Sequence, residues 1–434
     1  MDRTKWIILS ILFAIVIIGV SAVFFKSSSE KGMSFYDPVL SKDGSILAYL
    51  NIKNSDKKED ETSNIAIRII DFNKKEKKEC LSINVKEKED ISITSVSDDK
   101  ILYSKNDYSS GTVEDWEYSF ADNVTKQISS GKTEDFKDEI IYFKNNNKLR
   151  LYLKYEKYKK SILTFVNETG AEIKIMEMPS SKGYIYKPCT VGENIIFKTH
   201  IKNKYFFSDA VWIYRPEVGV LDEIQRECSD YIASENGKYI VFLLPSTVKG
   251  KSLWEISVKQ IEEDGDYSDI ANECFKEEVF LYSWSPNSTG FLMQKGNSLC
   301  FYDLNTQTLK DLQNAETDGW WGYPLSSYYV SFKPNGKSIA VLSYSKATDE
   351  QGGYSEHITV IDTAGEIKKK IYEGRIPEFG KKQPFRPEFY KHIFWKDEDN
   401  IIFESKSPKD PENKRIIMTS GDGKIKKNLS KSFL

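Results

Sequence analysis

The stretch Val279–Leu312, VFLYSWSPNSTGFLMQKGNSLCFYDLNTQTLKDL, reads as four short strands joined by three tight turns. Its first strand ends at Ser285-Pro286-Asn287, its second at Lys295-Gly296-Asn297 and its third at Asn305-Thr306-Gln307. Pro suits the second position of a tight turn, and Asn, Asp and Gly tolerate the later ones. A unit of this kind hydrogen-bonds to itself, so it can repeat.

Working outward, degenerate copies recur along nearly the whole chain. A strand, a polar turn and a second strand begin near Ile67, Trp116, Ile162, Val211, Leu253, Phe301, Ile358 and Ile416. Their spacing of about 50 residues is that of propeller blades. First halves with a turn signal include Ser41-Lys42-Asp43-Gly44, Ser234-Glu235-Asn236-Gly237 and Lys333-Pro334-Asn335-Gly336; the third unit, near Asp138, has the weakest turn.

The second strand of each unit is a near-continuous apolar run, such as Ile46-Leu47-Ala48-Tyr49-Leu50 or Ile195-Ile196-Phe197. Such runs suit strands covered on both faces. A two-sheet sandwich predicts cleaner alternation, and a membrane barrel predicts longer alternating strands. The fold expected is an all-β propeller over residues 35–434, with about eight four-stranded blades and seven as the next number. Closure by pairing of the segment near Phe35 with the last sheet is one arrangement that the sequence leaves open.

Trp284-Ser285-Pro286-Asn287, Phe332-Lys333-Pro334-Asn335-Gly336 and Leu40-Ser41-Lys42-Asp43-Gly44 resemble the TolB-like, PD-type β-propeller repeat. The resemblance implies a fold and no activity. Family chains include periplasmic interaction scaffolds, and similar blades form the propeller of dipeptidyl peptidase IV-type enzymes, single-pass membrane proteins whose catalytic α/β-hydrolase domain follows the propeller. Nothing follows the eighth unit in this sequence, so that domain is not expected.

Residues 6–25, WIILSILFAIVIIGVSAVFF, form an apolar run without charge. As a helix it would span about 30 Å, the thickness of a hydrocarbon core. Arg3 and Lys5 precede it, which places residues 1–5 in the cytoplasm and the propeller outside. Residues 26–34 read as a linker. The alternative is a signal peptide cleaved near Ala22 and a secreted product.

The 434 residues carry a net charge of −3 with both signs interspersed, so nothing suggests nucleic acid. Five cysteines, Cys80, Cys189, Cys228, Cys274 and Cys300, show no metal-ligand spacing. A Cys228–Cys274 bridge is weighed against free thiols acting as small apolar residues. The three histidines, His200, His357 and His392, lie on different units and read as ordinary residues. No Gly-x-Ser-x-Gly elbow occurs. In the acidic stretch 262–269 the Gly and the terminal Glu are not where a 12-residue calcium loop needs them. No metal, cofactor or catalytic residue is expected.

In a four-stranded blade the first–second and third–fourth turns share one face of the disc. The second–third and blade-to-blade connections share the other, and these are the long ones here. Loops on a rigid scaffold carry binding. Two such connections are aromatic-rich, and Trp320, Trp321, Tyr323, Phe385 and Arg386 are the candidate binding residues, of types that dominate interface hot spots. The competing reading is that they plug or cover the blades. Inward positions of first strands carry Tyr282, Trp284, Tyr329, Val330 and Phe332 rather than acids. The expected function is therefore a non-catalytic, membrane-anchored scaffold for a protein, peptide or cell-envelope component. The alternatives are a glycan- or peptide-active funnel enzyme and a sensory ectodomain working through a partner.

Overall fold

The computed structural model describes residues 33–41, 43–53, 62–86, 88–107, 109–110, 112–132, 137–144, 147–156, 160–166, 171–191, 193–202, 207–248, 251–262, 266–314, 330–346, 354–366, 368–376, 393–406 and 414–429. Among them are thirty-two strands and no helix, arranged as eight four-stranded sheets. Within each sheet the strands lie in chain order and pair antiparallel. The sheets span 33–86, 89–132, 137–179, 183–226, 230–275, 279–314, 330–376 and 393–428. This is an eight-bladed β-propeller, and the weakly signalled third unit is a full blade. The first strand starts at Met33, two residues before the expected boundary of 35. No helix among the described residues is long and apolar enough to cross a membrane. The expected anchor, residues 6–25, lies outside them.

The turns explain why the units form. Ser41, Ser234, Ser285 and Ser420 each accept, on Oγ, the backbone N–H five residues on: Ile46, Tyr239, Gly290 and Ile425 at 2.8–3.2 Å. The Asx residue inside the turn accepts from two residues on, as Asp43 does from Ser45 at 3.0 Å and Asn335 from Lys337 at 2.9 Å. Short polar side chains thus replace ladder hydrogen bonds where each strand reverses.

Blades join by burying the faces of their middle strands. Leu292 and Phe301 of blade 6 share a cluster with Leu342 and Ile358 of blade 7 and with Ile401 and Phe403 of blade 8. Further clusters join blades 1 and 2, 3 and 4, 4 and 5, and 5 and 6. Leu47, Tyr49 and Ile70 of blade 1 meet Ile402, Ile416 and Leu429 of blade 8, which closes the ring. Among the described residues no strand crosses from one sheet to another. Phe35 pairs with Asn51 of its own sheet, not with the last one. Closure rests on side-chain packing because the eighth blade supplies its own fourth strand, Lys426–Asn428.

The short-turn face adds a belt of polar contacts. Ser45 donates to Asp98 across blades 1 and 2 at 3.2 Å. Asn287 donates to the Asn335 carbonyl across blades 6 and 7 at 3.2 Å, and Asn335 to Glu398 across blades 7 and 8 at 2.6 Å. At the closing junction Gly44, with φ +74°, lies so close to blade 8 that a Cβ would come within 2.2 Å of the Lys396 carbonyl oxygen.

Candidate functional site

The cleft at the long-connection end of blades 4, 5 and 6 gathers the most chemistry among the described residues. It begins with register. In blade 4, Tyr184 stands opposite His200 and Tyr186 opposite Lys198; His200 in turn stands opposite Asp209. Period-two alternation puts all five on the face that looks at blade 5. Farther along that face Ile196 and Val211 are apolar and join Tyr231 and Phe242 of blade 5. The face is apolar toward the short turns and polar toward the long connections.

The polar half is a closed network. Lys198, only 2% exposed, pairs with Asp209 at 2.8 Å. Its ammonium also donates to the Ser229 carbonyl and lies 5.1 Å from the centre of the Tyr186 ring. The Tyr186 hydroxyl donates to Asp209 Oδ2 at 2.8 Å, and His200 Nδ1 donates to Oδ1 at 2.5 Å. Burial pushes the Asp209 carboxyl up. Hydrogen bonds from Lys198, Tyr186 and His200 outweigh that and hold it below the usual carboxylate range. Burial, then the hydrogen bond to Asp209, pushes the Tyr186 phenol well above its ordinary range. At neutral pH Asp209 is ionised and Tyr186 protonated.

Beside the network lies a cavity of about 560 Å3. The first strands of three blades reach it: Lys187 from blade 4, Asp230 and Ile232 from blade 5, and Val279, Phe280 and Tyr282 from blade 6. Trp254 is also part of the wall. Asp230 and Val279 open their strands directly after blade-to-blade connections, which places the cavity at the long-connection end.

Lys187 is placed by a β-bulge. Tyr186 pairs with Lys198 and Cys189 with Ile196, so Lys187 and Pro188 together oppose Phe197. Lys187 has φ +50°, the left-handed region that non-glycine residues seldom occupy. The Tyr231 hydroxyl donates to its carbonyl, and its ammonium pairs with Asp230 5.3 Å from the Tyr231 ring centre. Simple alternation would put Lys187 on the face away from the network; with the bulge its side chain reaches the cavity instead. Ser229 links the two, since its carbonyl receives Lys198 while the residue lines the cavity.

The candidate residues Trp320, Trp321, Tyr323, Phe385 and Arg386 lie outside the described residues, as do Tyr329 and His392. Of the expected inward positions, Tyr282 reaches the cavity, donating to Gln294 at 2.6 Å, and Trp284 is buried with its indole N–H on the Ile232 carbonyl at 3.1 Å. His357 is a buried strand residue 3.9 Å from Glu373. His200, by contrast, belongs to the network and is not an ordinary strand residue. Sequence reasoning missed Lys187, Lys198, His200, Asp209 and Asp230. One signal was present: in Ile195-Ile196-Phe197-Lys198-Thr199-His200-Ile201 two basic residues interrupt a strand otherwise built for burial.

Cys228 and Cys274 are both free. Cys228 is buried, its thiol pushed up to about 12 by burial and directed at the Asp230 carbonyl, whereas Cys274 is exposed. Near the acidic stretch, Glu262 accepts from Ser268 at 3.3 Å and Asp269 pairs with Lys259 at 2.6 Å. Among the described residues no three His, Cys, Asp or Glu side chains gather as metal ligands.

Neither a family model nor a curated protein matches the sequence. Among solved structures the chain is similar to the β-propeller domain of the Trilobed protease from Pyrococcus furiosus, at 14% identity and TM-score 0.45, covering 81% of this chain and 99% of that one. It is similar to an oligogalacturonate lyase in complex with manganese, at 12% identity and TM-score 0.45, covering 75% and 90%. It is also similar to TolB from Acinetobacter baumannii, at 11% identity and TM-score 0.31, covering 79% of each chain. These likenesses assign no activity, ligand or site to this chain.

Proposed function

We propose that this chain is a membrane-anchored, extracytoplasmic propeller that binds a ligand without transforming it, in the cleft among blades 4, 5 and 6. The observation that carries the reading is Lys187. A left-handed lysine in a bulge, fixed at its carbonyl and its ammonium, is local strain kept where a 560 Å3 cavity opens. Cavities of about 300–1,000 Å3 with mostly apolar walls and a few placed polar groups are typical ligand sites.

Binding is favoured over catalysis because the network's charged groups are spent on one another. Asp209 accepts three donors, and Lys198 is shared between Asp209 and the Ser229 carbonyl. Such a network rigidifies a wall. The connections that hold Trp320, Trp321, Tyr323, Phe385 and Arg386 precede the first strands of blades 7 and 8 in the sequence. They are proposed to extend the binding surface for a protein or cell-envelope partner. Residues 6–25 are proposed to hold the chain in the membrane.

A photo-crosslinking residue at Phe280, in the cavity wall, tests the reading against one at Val124, an exposed site on blade 2. In cell-envelope membranes the first is expected to capture a defined species and the second none. Equal capture at both positions, or none at Phe280, would overturn it.

A further inference from the structure

We infer that the cavity selects a short apolar peptide with both termini free. The inference rests on the cavity being the ligand site. Lys187 and Asp230 are the charged residues of its wall, they face each other across the junction of blades 4 and 5, and their side chains are 43% and 35% exposed. The neighbouring charges Lys198 and Asp209 neutralise each other behind Ser229. The remaining wall includes Ile232, Leu243, Trp254 and Phe280.

That wall discriminates by charge. An anion drawn to Lys187 meets Asp230, and a cation drawn to Asp230 meets Lys187. Each leaves one like-charge contact, which works against binding. A ligand with a carboxylate and an ammonium close together satisfies both: the carboxylate lies on Lys187, the ammonium on Asp230, and each charge keeps opposite neighbours. Apolar side chains then cover Trp254 and Phe280. The 560 Å3 volume suits two or three residues rather than a folded domain. The Lys187 ammonium is already paired with Asp230 and lies 5.3 Å from the Tyr231 ring centre, so binding loses little of its side-chain freedom.

Calorimetry on the full chain in detergent tests this with the dipeptide Leu-Phe and its N-acetyl, C-amide and doubly blocked forms. An exposed ion pair is worth up to about 1 kcal/mol, or about fivefold in affinity. The free dipeptide is expected to bind tightest, with each single block costing about fivefold. In a Lys187→Met/Asp230→Leu variant that melts like the wild type, all four forms should bind alike. Equal binding of free and doubly blocked dipeptide to the wild type overturns the inference, and so does binding of none. In either case capture at Phe280 decides separately whether the cavity reading survives. An oligosaccharide that binds where Leu-Phe does not would replace the peptide and leave the cavity.

Discussion

Where blade 7 meets blade 8, the facing strands bring together Leu342, Ile358, Ile401 and Phe403, all buried, and among the described residues a charged contact, Lys333–Glu398 at 3.4 Å, sits at the turn end. Where blade 4 meets blade 5, the same strand positions carry Ile196, Val211, Tyr231 and Phe242 over one half and Lys198, Asp209, Tyr186 and His200 over the other. Both junctions close, but they respond differently to damage. An apolar seam loses only the contacts of the side chain removed. A buried ion network loses compensation, and one missing partner strands the rest.

The largest expected effect breaks the polar seam. Asp209→Ala leaves Lys198 buried without its counter-ion, and urea unfolding should show a loss of about 3–5 kcal/mol. Lys198→Met/Asp209→Leu removes both charges and should recover most of that stability, since apolar replacement of a buried pair is often neutral. At the apolar seam Leu342→Ala should cost about 2–5 kcal/mol, with no second substitution able to restore it by charge removal. A loss under about 1 kcal/mol for Asp209→Ala would mean that Lys198 reaches water and that the two seams do not differ in kind.

Acid should separate the seams more gently. Asp209 is held below its unfolded value, so its contribution is fully present above about pH 3.9 and is lost as pH falls through the lower folded value. Wild type should therefore lose stability relative to Asp209→Asn over that window, and the Leu342→Ala variant should lose it in parallel with wild type. Identical acid slopes for wild type and Asp209→Asn would remove the network from the account.

The closing junction gives a smaller test. Gly44 needs φ +74° and sits where a Cβ would meet the Lys396 carbonyl. Gly44→Ala should cost about 1–3 kcal/mol through strain and a forced shift between blades 8 and 1. Gly219, with φ +67° and open space around it, lies in blade 4 away from that junction. Gly219→Ala should cost less, because it meets the backbone strain and no neighbour. Equal melting shifts would show that closure does not depend on that close approach.

The blades were legible because their signals are local. The Ser and Asx hydrogen bonds that build each turn span two to five residues, so composition at a turn reports its geometry directly. The cleft was not, because its partners are far apart in sequence: Lys187 and Asp230 are separated by 43 residues, and Lys198 and Ser229 by 31. No turn or period joins such positions; only the stacking of blade 4 on blade 5 does. Tyr282 was read as inward and does reach the cavity, yet reading its strand alone made the funnel look purely apolar. The charges come from the blades on the other side. Ring closure stayed open in the sequence for a related reason, since the short strand Lys426–Asn428 that completes the eighth blade carries no apolar run to announce it.

The smallest expected effect on stability carries the most about function, and it sets two lysines of blade 4 against each other. Lys198 is buried and shared between Asp209 and a carbonyl, so it belongs to the fold. Lys187 is 43% exposed and sits at φ +50°. Lys187→Gly removes an ion pair worth up to about 1 kcal/mol and adds a glycine entropy cost of about 0.5–1 kcal/mol. It also releases left-handed strain of about 1–3 kcal/mol. The terms oppose each other, and the melting temperature should move by only a few degrees in either direction. Ligand capture at Phe280 should nonetheless fall, because the wall has lost its cation. A stable variant that no longer binds would separate scaffold from site within one strand. Should Lys187→Gly unfold the chain while binding per folded molecule persists, Lys187 would be a structural clamp between blades 4 and 5, and the cavity would need another determinant.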